Sequence, residues 1–311
     1  MKISIIGAGN VGATCANDII NLNLADELVL LDVKEGVTEG KALDLWQTSS
    51  IRQFETYVYG VTDDYEATKD SDVVVITAGL PRKPGMSRDD LIEINAGIVQ
   101  HATREIIKYS PDAKIVIVSN PLDVMTYASF MAANGKNPNE VFGMAGILDA
   151  ARYKAFIAEE LNVSPVSVHA ILMGGHGDTM VPLPRYTTIS SVPVTELLSK
   201  EKLDTIIERT KYGGGELVKL MGTSAWYAPG AAAAQMVSAI VKHSRRLFPV
   251  SAYLQGEYGL NDLYMGVPVI LGRNGIQQII ELKLNDEEME LVHKSAESVK
   301  SVLEVLRQKV K

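Results

Sequence analysis

The N-terminal half of the chain alternates short apolar runs with longer stretches of helical periodicity. "KISII" (2–6), "ELVLLD" (27–32), "DVVVITAG" (72–79) and "KIVIVSN" (114–120) are nearly unbroken β-rich runs ending in small or polar residues. Such runs suit strands covered on both faces, as in a parallel sheet. Between the first two, Ala13, Ala16, Ile19, Ile20 and Asn23 fall at helical spacing. Residues 89–109 predict a long helix and 121–134 a further helical segment. This alternation predicts an α/β fold, with a doubly wound parallel sheet over residues 1–145. Residues 146–311 are expected to form a second, α+β domain. There "GILDAARYKAFIAEEL" (146–161) predicts a helix and "VSVHAILM" (166–173) a strand. Most of 221–241 predicts a buried helix running into the basic "KHSRR" (242–246).

Composition narrows the class. At 46% hydrophobic and 22% charged residues the chain is globular, and 311 residues suffice for two domains. Thirty Lys and Arg against 38 Asp and Glu give a formal charge of −8. An acidic chain without a long basic run is a poor coat for phosphate backbones, so no nucleic acid is expected as partner. The longest uncharged run, 221–241, contains Pro229, Gly230, Gln235 and many alanines, too weakly apolar to favour a bilayer. The chain opens on a strand rather than on the pattern of a secretory leader, so a cytoplasmic location is expected. Its one cysteine, Cys15, excludes an intrachain disulfide and reads as packing in a helix.

The first apolar run leads into "GAGNVG", with glycines at 7, 9 and 12. Strand, G-x-G-x-x-G, helix, second strand and terminal acid follow within about 30 residues, the context required of a dinucleotide site. Gly7 permits the tight turn, Gly9 lets backbone approach a pyrophosphate, and Gly12 lets helix close on strand. The N–H groups at the start of that helix, around Asn10 and Val11, and its positive dipole end face the phosphates. Asp32, twenty positions after Gly12, can accept from both ribose hydroxyls and repels a 2′-phosphate, favouring NAD over NADP. Ligands of such sheets bind beyond the carboxyl ends of the strands, here Gly7, Asp32, Thr77–Ala78–Gly79 and Val118–Ser119–Asn120.

"AGLPRKPGMSRDD" (78–90) leaves one of those ends with Arg82, Lys83 and Arg88, and Pro81, Pro84 and Gly85 make it a loop. It reads either as a solvated basic loop or as a lid bringing guanidinium groups over an anionic substrate. Asp149 and Arg152 share a helix face, which alone would be a surface ion pair. His101, His169 and His243 lie within regular patterns and His293 in a charged helix; His176, in "MGGHGDT", sits in a glycine turn. Beside Asp149 it would be held in one tautomer and stabilised when protonated, leaving Arg152 to grip a carboxylate. The flanking glycines are expected to leave room for a small substrate and a nicotinamide ring.

Taken together, "GAGNVG", "LLD" (30–32), "AGLPRKPGMSRDDLIEIN" (78–95), "VSNPLDVMT" (118–126), "GILDAARY" (146–153) and "GGHGDTMVPL" (174–183) resemble the lactate/malate dehydrogenases over essentially the whole chain. Within that family the sequence is most similar to the lactate-dehydrogenase-like malate dehydrogenases. The resemblance implies a catalytic second domain, NAD as cofactor, no metal, a small dicarboxylate substrate (malate or oxaloacetate), and a homodimer or homotetramer. It implies that His176 exchanges the proton, Asp149 orients it, Arg152 binds the C1 carboxylate and Arg88 polarises the carbonyl. Asn120 would bond the substrate oxygen, Asn95 would lie near nicotinamide and ribose, and Ser224 would form a pocket wall. Arg82 matches the lid position where an arginine pairs with a second carboxylate and a neutral glutamine is usual in lactate enzymes. Two other readings stay open: a lactate or other 2-hydroxy-acid dehydrogenase, and a catalytically silent NAD-binding protein on the same fold.

Overall fold

The computed structural model describes residues 1–80 and 88–309, without the side chain of Arg88. Arg82 and Lys83 therefore lie outside the described residues.

The four predicted strands form as β1 (Lys2–Ile6), β2 (Glu27–Asp32), β4 (Val73–Ile76) and β5 (Lys114–Ile117), and two that the apolar runs did not mark join them, β3 (Tyr57–Thr62) and β6 (Val141–Gly143). The third and fourth apolar runs give shorter strands than their length suggested, because their last residues peel away as loops at the carboxyl edge. Between the strands lie α1 (Asn10–Asn21), α2 (Val37–Gln47), the single turn α3 (Ser49–Arg52), α4 (Arg88–Tyr109) and α5 (Leu122–Ala132). Asn23 falls beyond the end of α1 at φ 49° and is exposed, while Cys15 takes its place on the buried stripe.

Strand periodicity explains the two cores. Ile3, Ile5, Leu28, Leu30, Val73 and Val75 point to one face, where α1 packs. Ile6, Leu31, Val74, Ile76, Ile115 and Ile117 point to the other, under α4 and α5. Alternate side chains of one strand face opposite ways, so a run apolar at every position needs cover on both sides.

The second half adds α6 (Gly146–Leu161), the short strands β7 (Val168–His169), β8 (Leu172–Met173), β9 (Val181–Pro182), β10 (Thr188–Ile189) and β11 (Val192–Pro193), and the single turn α7 (Val194–Leu197). Then come α8 (Lys200–Met221), α9 (Tyr227–Val241), β12 (Arg246–Gln255), β13 (Asn261–Gly272), β14 (Gly275–Ile279) and α10 (Asp286–Lys309). The strand expected over 166–173 is two two-residue strands in different small sheets. The run 221–241 is divided: Met221 ends α8, and α9 is the buried helix. His243 lies in the turn after α9 at φ 48°, not within a regular element.

Among the described residues the main sheet has nine strands in the order β14-β13-β12-β6-β5-β4-β1-β2-β3. The six from β6 to β3 are parallel, and β12 joins antiparallel to β6 through Ser251 opposite Gly143. The Rossmann-type sheet of the first half thus continues into strands of the second. A separate core forms where α6 and α8 meet the small sheet, around Tyr153, Ile157, Val168 and Leu203. The carboxyl ends of β1, β2, β4 and β5 share one edge, the usual ligand crevice of such sheets.

Candidate active site

At that edge Gly7 turns at φ 103°, and Gly12 meets it so closely that a Cβ would lie 1.9 Å from the Gly7 carbonyl oxygen. Thr77 ties the turn to β4, its hydroxyl donating to the Gly7 carbonyl at 2.8 Å. Gly9 is different: a Cβ there meets nothing within 4 Å, so the space above the start of α1 is open. Gly9 is the N-cap of α1, with no side-chain cap and no acid in the first turn. The leading N–H groups of a helix have no intrahelical acceptor, so Asn10 and Val11 present donors and a positive dipole end there. Asp32 accepts from the N–H of Ala8 at 2.6 Å and of Val33 at 2.8 Å. A carboxylate has about four lone-pair sites, so ribose hydroxyls remain within its capacity. These residues fit a dinucleotide's diphosphate and ribose.

Asn95, on α4, is buried. Its Oδ1 accepts from the Leu80 N–H at 2.8 Å, and its Nδ2 donates to the carbonyls of Leu80 at 3.2 Å and Asn120 at 2.9 Å. It therefore fastens together the loops leaving β4 and β5. Ser119 helps, its hydroxyl donating to the Ala78 carbonyl at 2.5 Å. Val118 is buried, while Gly79 and Asn120 are exposed at the crevice.

The second half supplies the charged cluster. Asp149, in the first turn of α6, is 2% exposed, and its Oδ2 lies 2.8 Å from His176 Nδ1. Its Oδ1 lies 3.2 Å from Arg152 Nη1. Arg152 is thus paired to Asp149 rather than free, though its remaining donors are available. Burial pulls the His176 pKa down and Arg152 adds to this. The charge and hydrogen bond of Asp149, with help from Asp123, outweigh both, and the net shift is upward.

Asp123, in the "VSNPLDVMT" stretch, carries no role from sequence reasoning, yet it stands directly beneath the histidine. It is buried in the first turn of α5, where the helix dipole favours a carboxylate. It accepts from the backbone N–H of His176 at 2.8 Å and from the Ser251 hydroxyl at 2.7 Å. Burial raises its pKa, against the pull of those two donors. The trace of it in the sequence is a single acid in the otherwise uncharged, largely apolar segment 122–132; that the acid is buried, where a carboxylate is rare unless paired, only the structure shows.

The two glycines flanking His176 differ: a Cβ on Gly177 would meet nothing within 4 Å, so the space beside it is open, whereas Gly175 is closely packed. A Cβ on Gly175 would lie 2.6 Å from Val299 of α10 and 3.4 Å from Asp123, so that glycine admits protein packing rather than substrate. Gly174, at φ 89°, exchanges backbone hydrogen bonds with Gly266 of β13. Gly177 holds φ 124°, strained for any side chain. Ser224 is exposed in the connection between α8 and α9, and no described hydrogen bond places it at the cluster.

The lactate/malate dehydrogenase NAD binding domain model matches residues 1–143, and the lactate/malate dehydrogenase alpha/beta C-terminal domain model matches residues 147–310. The chain belongs to the lactate/malate dehydrogenase family. A malate dehydrogenase of Cytophaga hutchinsonii is 61% identical over 307 residues, 98% of each chain. The 1.55 Å structure of malate dehydrogenase from Salinibacter ruber covers 100% of both chains at 52% identity and a TM-score of 0.95. The Plasmodium falciparum malate dehydrogenase in complex with NADH covers 100% of both at 35% identity and a TM-score of 0.93.

Proposed function

We propose that this chain is an NAD-dependent malate dehydrogenase, interconverting malate and oxaloacetate. The observation that carries the chemistry is the His176–Asp149 pair beside Arg152, the carboxylate buried and the imidazole partly exposed, with the His176 N–H held by Asp123 in the first turn of the helix that follows β5. The nicotinamide, when bound, accepts hydride from C2 of malate or returns it to oxaloacetate. With Nδ1 committed to Asp149, His176 works through Nε2, which takes the C2 hydroxyl proton as the carbonyl forms and gives it back in reverse. Asp149 fixes the tautomer and stabilises the imidazolium. Arg152 grips the C1 carboxylate and Asn120 bonds the substrate oxygen; Arg88 polarises the carbonyl. Asn95 holds the two loops that flank the nicotinamide and ribose, and Ser224 walls the pocket.

The substrate name rests on Arg82. A second carboxylate under a closed lid is costly unless paired, and an arginine at 82 supplies the partner. In this reading residues 1–145 hold the cofactor and 146–311 supply the proton carrier and Arg152. The enzyme is proposed to work in the cytoplasm; no helix among the described residues is long and apolar enough to cross a membrane. A second copy is the proposed cover for Leu43, Trp46, Ile51 and Tyr57, large apolar side chains exposed along α2, α3 and β3, in a homodimer or homotetramer.

The deciding experiment is NADH oxidation by the purified protein with oxaloacetate and with pyruvate. Oxaloacetate is expected to lead in kcat/KM by at least about tenfold, the worth of one charged hydrogen bond. Equal values would reduce the reading to a 2-hydroxy-acid dehydrogenase. No turnover of either, with NADH still bound, would leave a non-catalytic NAD-binding protein.

A further inference from the structure

The Gly7–Ala8–Gly9 turn is held from both sides by charged side chains. The Ala8 N–H donates to Asp32, and the Ala8 carbonyl accepts from Lys41 Nζ at 2.6 Å. Lys41 stands on α2, and β3 lets that helix come close through Gly60, where a Cβ would lie 2.4 Å from the Thr38 carbonyl oxygen. Ala42 beside it is buried, which fixes the roll of the helix. Asn10, at the start of α1, lines one cleft with Lys41, together with Asp18, Asp44 and Trp226.

A trans peptide is planar, with its N–H and C=O pointing opposite ways. By drawing the Ala8 carbonyl to one side, Lys41 turns the Gly9 N–H to the other. The ammonium also sets a full positive charge one peptide from the open helix end, whose first turn carries no acid. Asp32 alone would leave that turn negatively charged where a diphosphate must approach.

We propose that Lys41 is a further cofactor-positioning residue: its ammonium fixes the Ala8–Gly9 peptide and supplies positive charge toward the diphosphate of a bound dinucleotide. The inference rests on the NAD reading of the crevice. It adds a residue outside the glycine motif, nine positions past Asp32, that pattern matching does not reach.

The test is direct binding of NADH, ADP-ribose and adenosine to the full chain by calorimetry, with thermal unfolding in parallel. Lys41→Met keeps stem length and removes the charge; Lys41→Arg restores a cation. Lys41→Met is expected to weaken NADH and ADP-ribose by about tenfold or more, with a smaller loss at high salt. Adenosine, which has no phosphate, should bind as to the parent, and Lys41→Arg should recover most of the loss. In turnover the effect should fall on KM for NADH far more than on kcat. If Lys41→Met fails to fold, Lys41→Gln takes its place, keeping a donor without charge. Unchanged ADP-ribose affinity overturns the proposal. So does an equal loss for adenosine, since the lysine would then hold the pocket's shape and not its phosphate. Failure of the parent protein to bind NADH counts instead against the NAD reading.

Discussion

His176 Nδ1 and Asp149 Oδ2 stand 2.8 Å apart, the carboxylate buried and the imidazole 16% exposed. The aspartate raises the histidine's pKa, so protonated His176 persists to higher pH than a free imidazole. Malate oxidation needs the neutral ring and oxaloacetate reduction the charged one. Oxidation should therefore rise with pH through the raised pKa while reduction falls through it. Asp149→Asn should shift both limbs to lower pH and cut kcat by roughly 10²–10⁴-fold. Parallel pH trends in the two directions would remove His176 as the shared proton carrier.

The same pair links folding to pH. A histidine whose folded pKa lies above its unfolded value of about 6.5 contributes stability that is complete below that value and lost as pH rises through the folded pKa. The Tm difference between the parent and Asp149→Asn should therefore be largest in acid and shrink toward alkaline pH. A difference that grows with pH would contradict the direction of the shift.

Asp123 links α5, β12 and the His176 loop. Ser251→Ala leaves one of its buried oxygens without a donor, so a loss of about 1–3 kcal/mol is expected by denaturant titration. Asp123→Asn keeps an acceptor for the His176 N–H and deletes the charge. Its pH–rate profile should move to lower pH, as Asp123 is one of the groups raising the His176 pKa. An unmoved profile would confine Asp123 to a structural role.

Two glycines of one motif should behave differently. Gly12→Ala places a Cβ 1.9 Å from backbone and should lower Tm sharply. Gly9→Ala meets open space at φ −66°, so Tm should hold while NADH affinity falls, because the new methyl occupies the diphosphate's approach. Full NADH affinity in Gly9→Ala would place the cofactor elsewhere.

Arg82→Gln should depress kcat/KM for oxaloacetate by about one to two decades and spare pyruvate, which has a methyl in place of the second carboxylate. A solvated lid cation would instead affect both substrates alike, with a salt dependence. Measuring both at low and high ionic strength separates the two.

By itself the sequence determined β1, β2, β4 and β5, the helices α1, α4 and α5 beside them and the glycine turn of the cofactor crevice. Unbroken runs such as Val73–Ile76 are legible because a strand covered on both faces needs apolar residues at every position. The glycine motif is legible because turn, phosphate approach and helix closure each forbid a Cβ, and these constraints fall within one short segment. What the sequence could not settle was which distant groups meet. Helical spacing put Asp149 and Arg152 on one face and the resemblance implied that Asp149 orients His176, but the tertiary structure decided that the carboxylate serving both is buried, and that Asn95 ties two loops instead of standing free. It also decided that Asp123 and Ser251, 128 positions apart, share a hydrogen bond under the histidine loop. Gly175 shows the difference most plainly: its sequence context suggested room for a ligand, and the packing of α10 requires the glycine for Val299. Local patterns record what a residue's own backbone needs, whereas a long-range contact depends on how layers pack, and no periodicity in the chain encodes that.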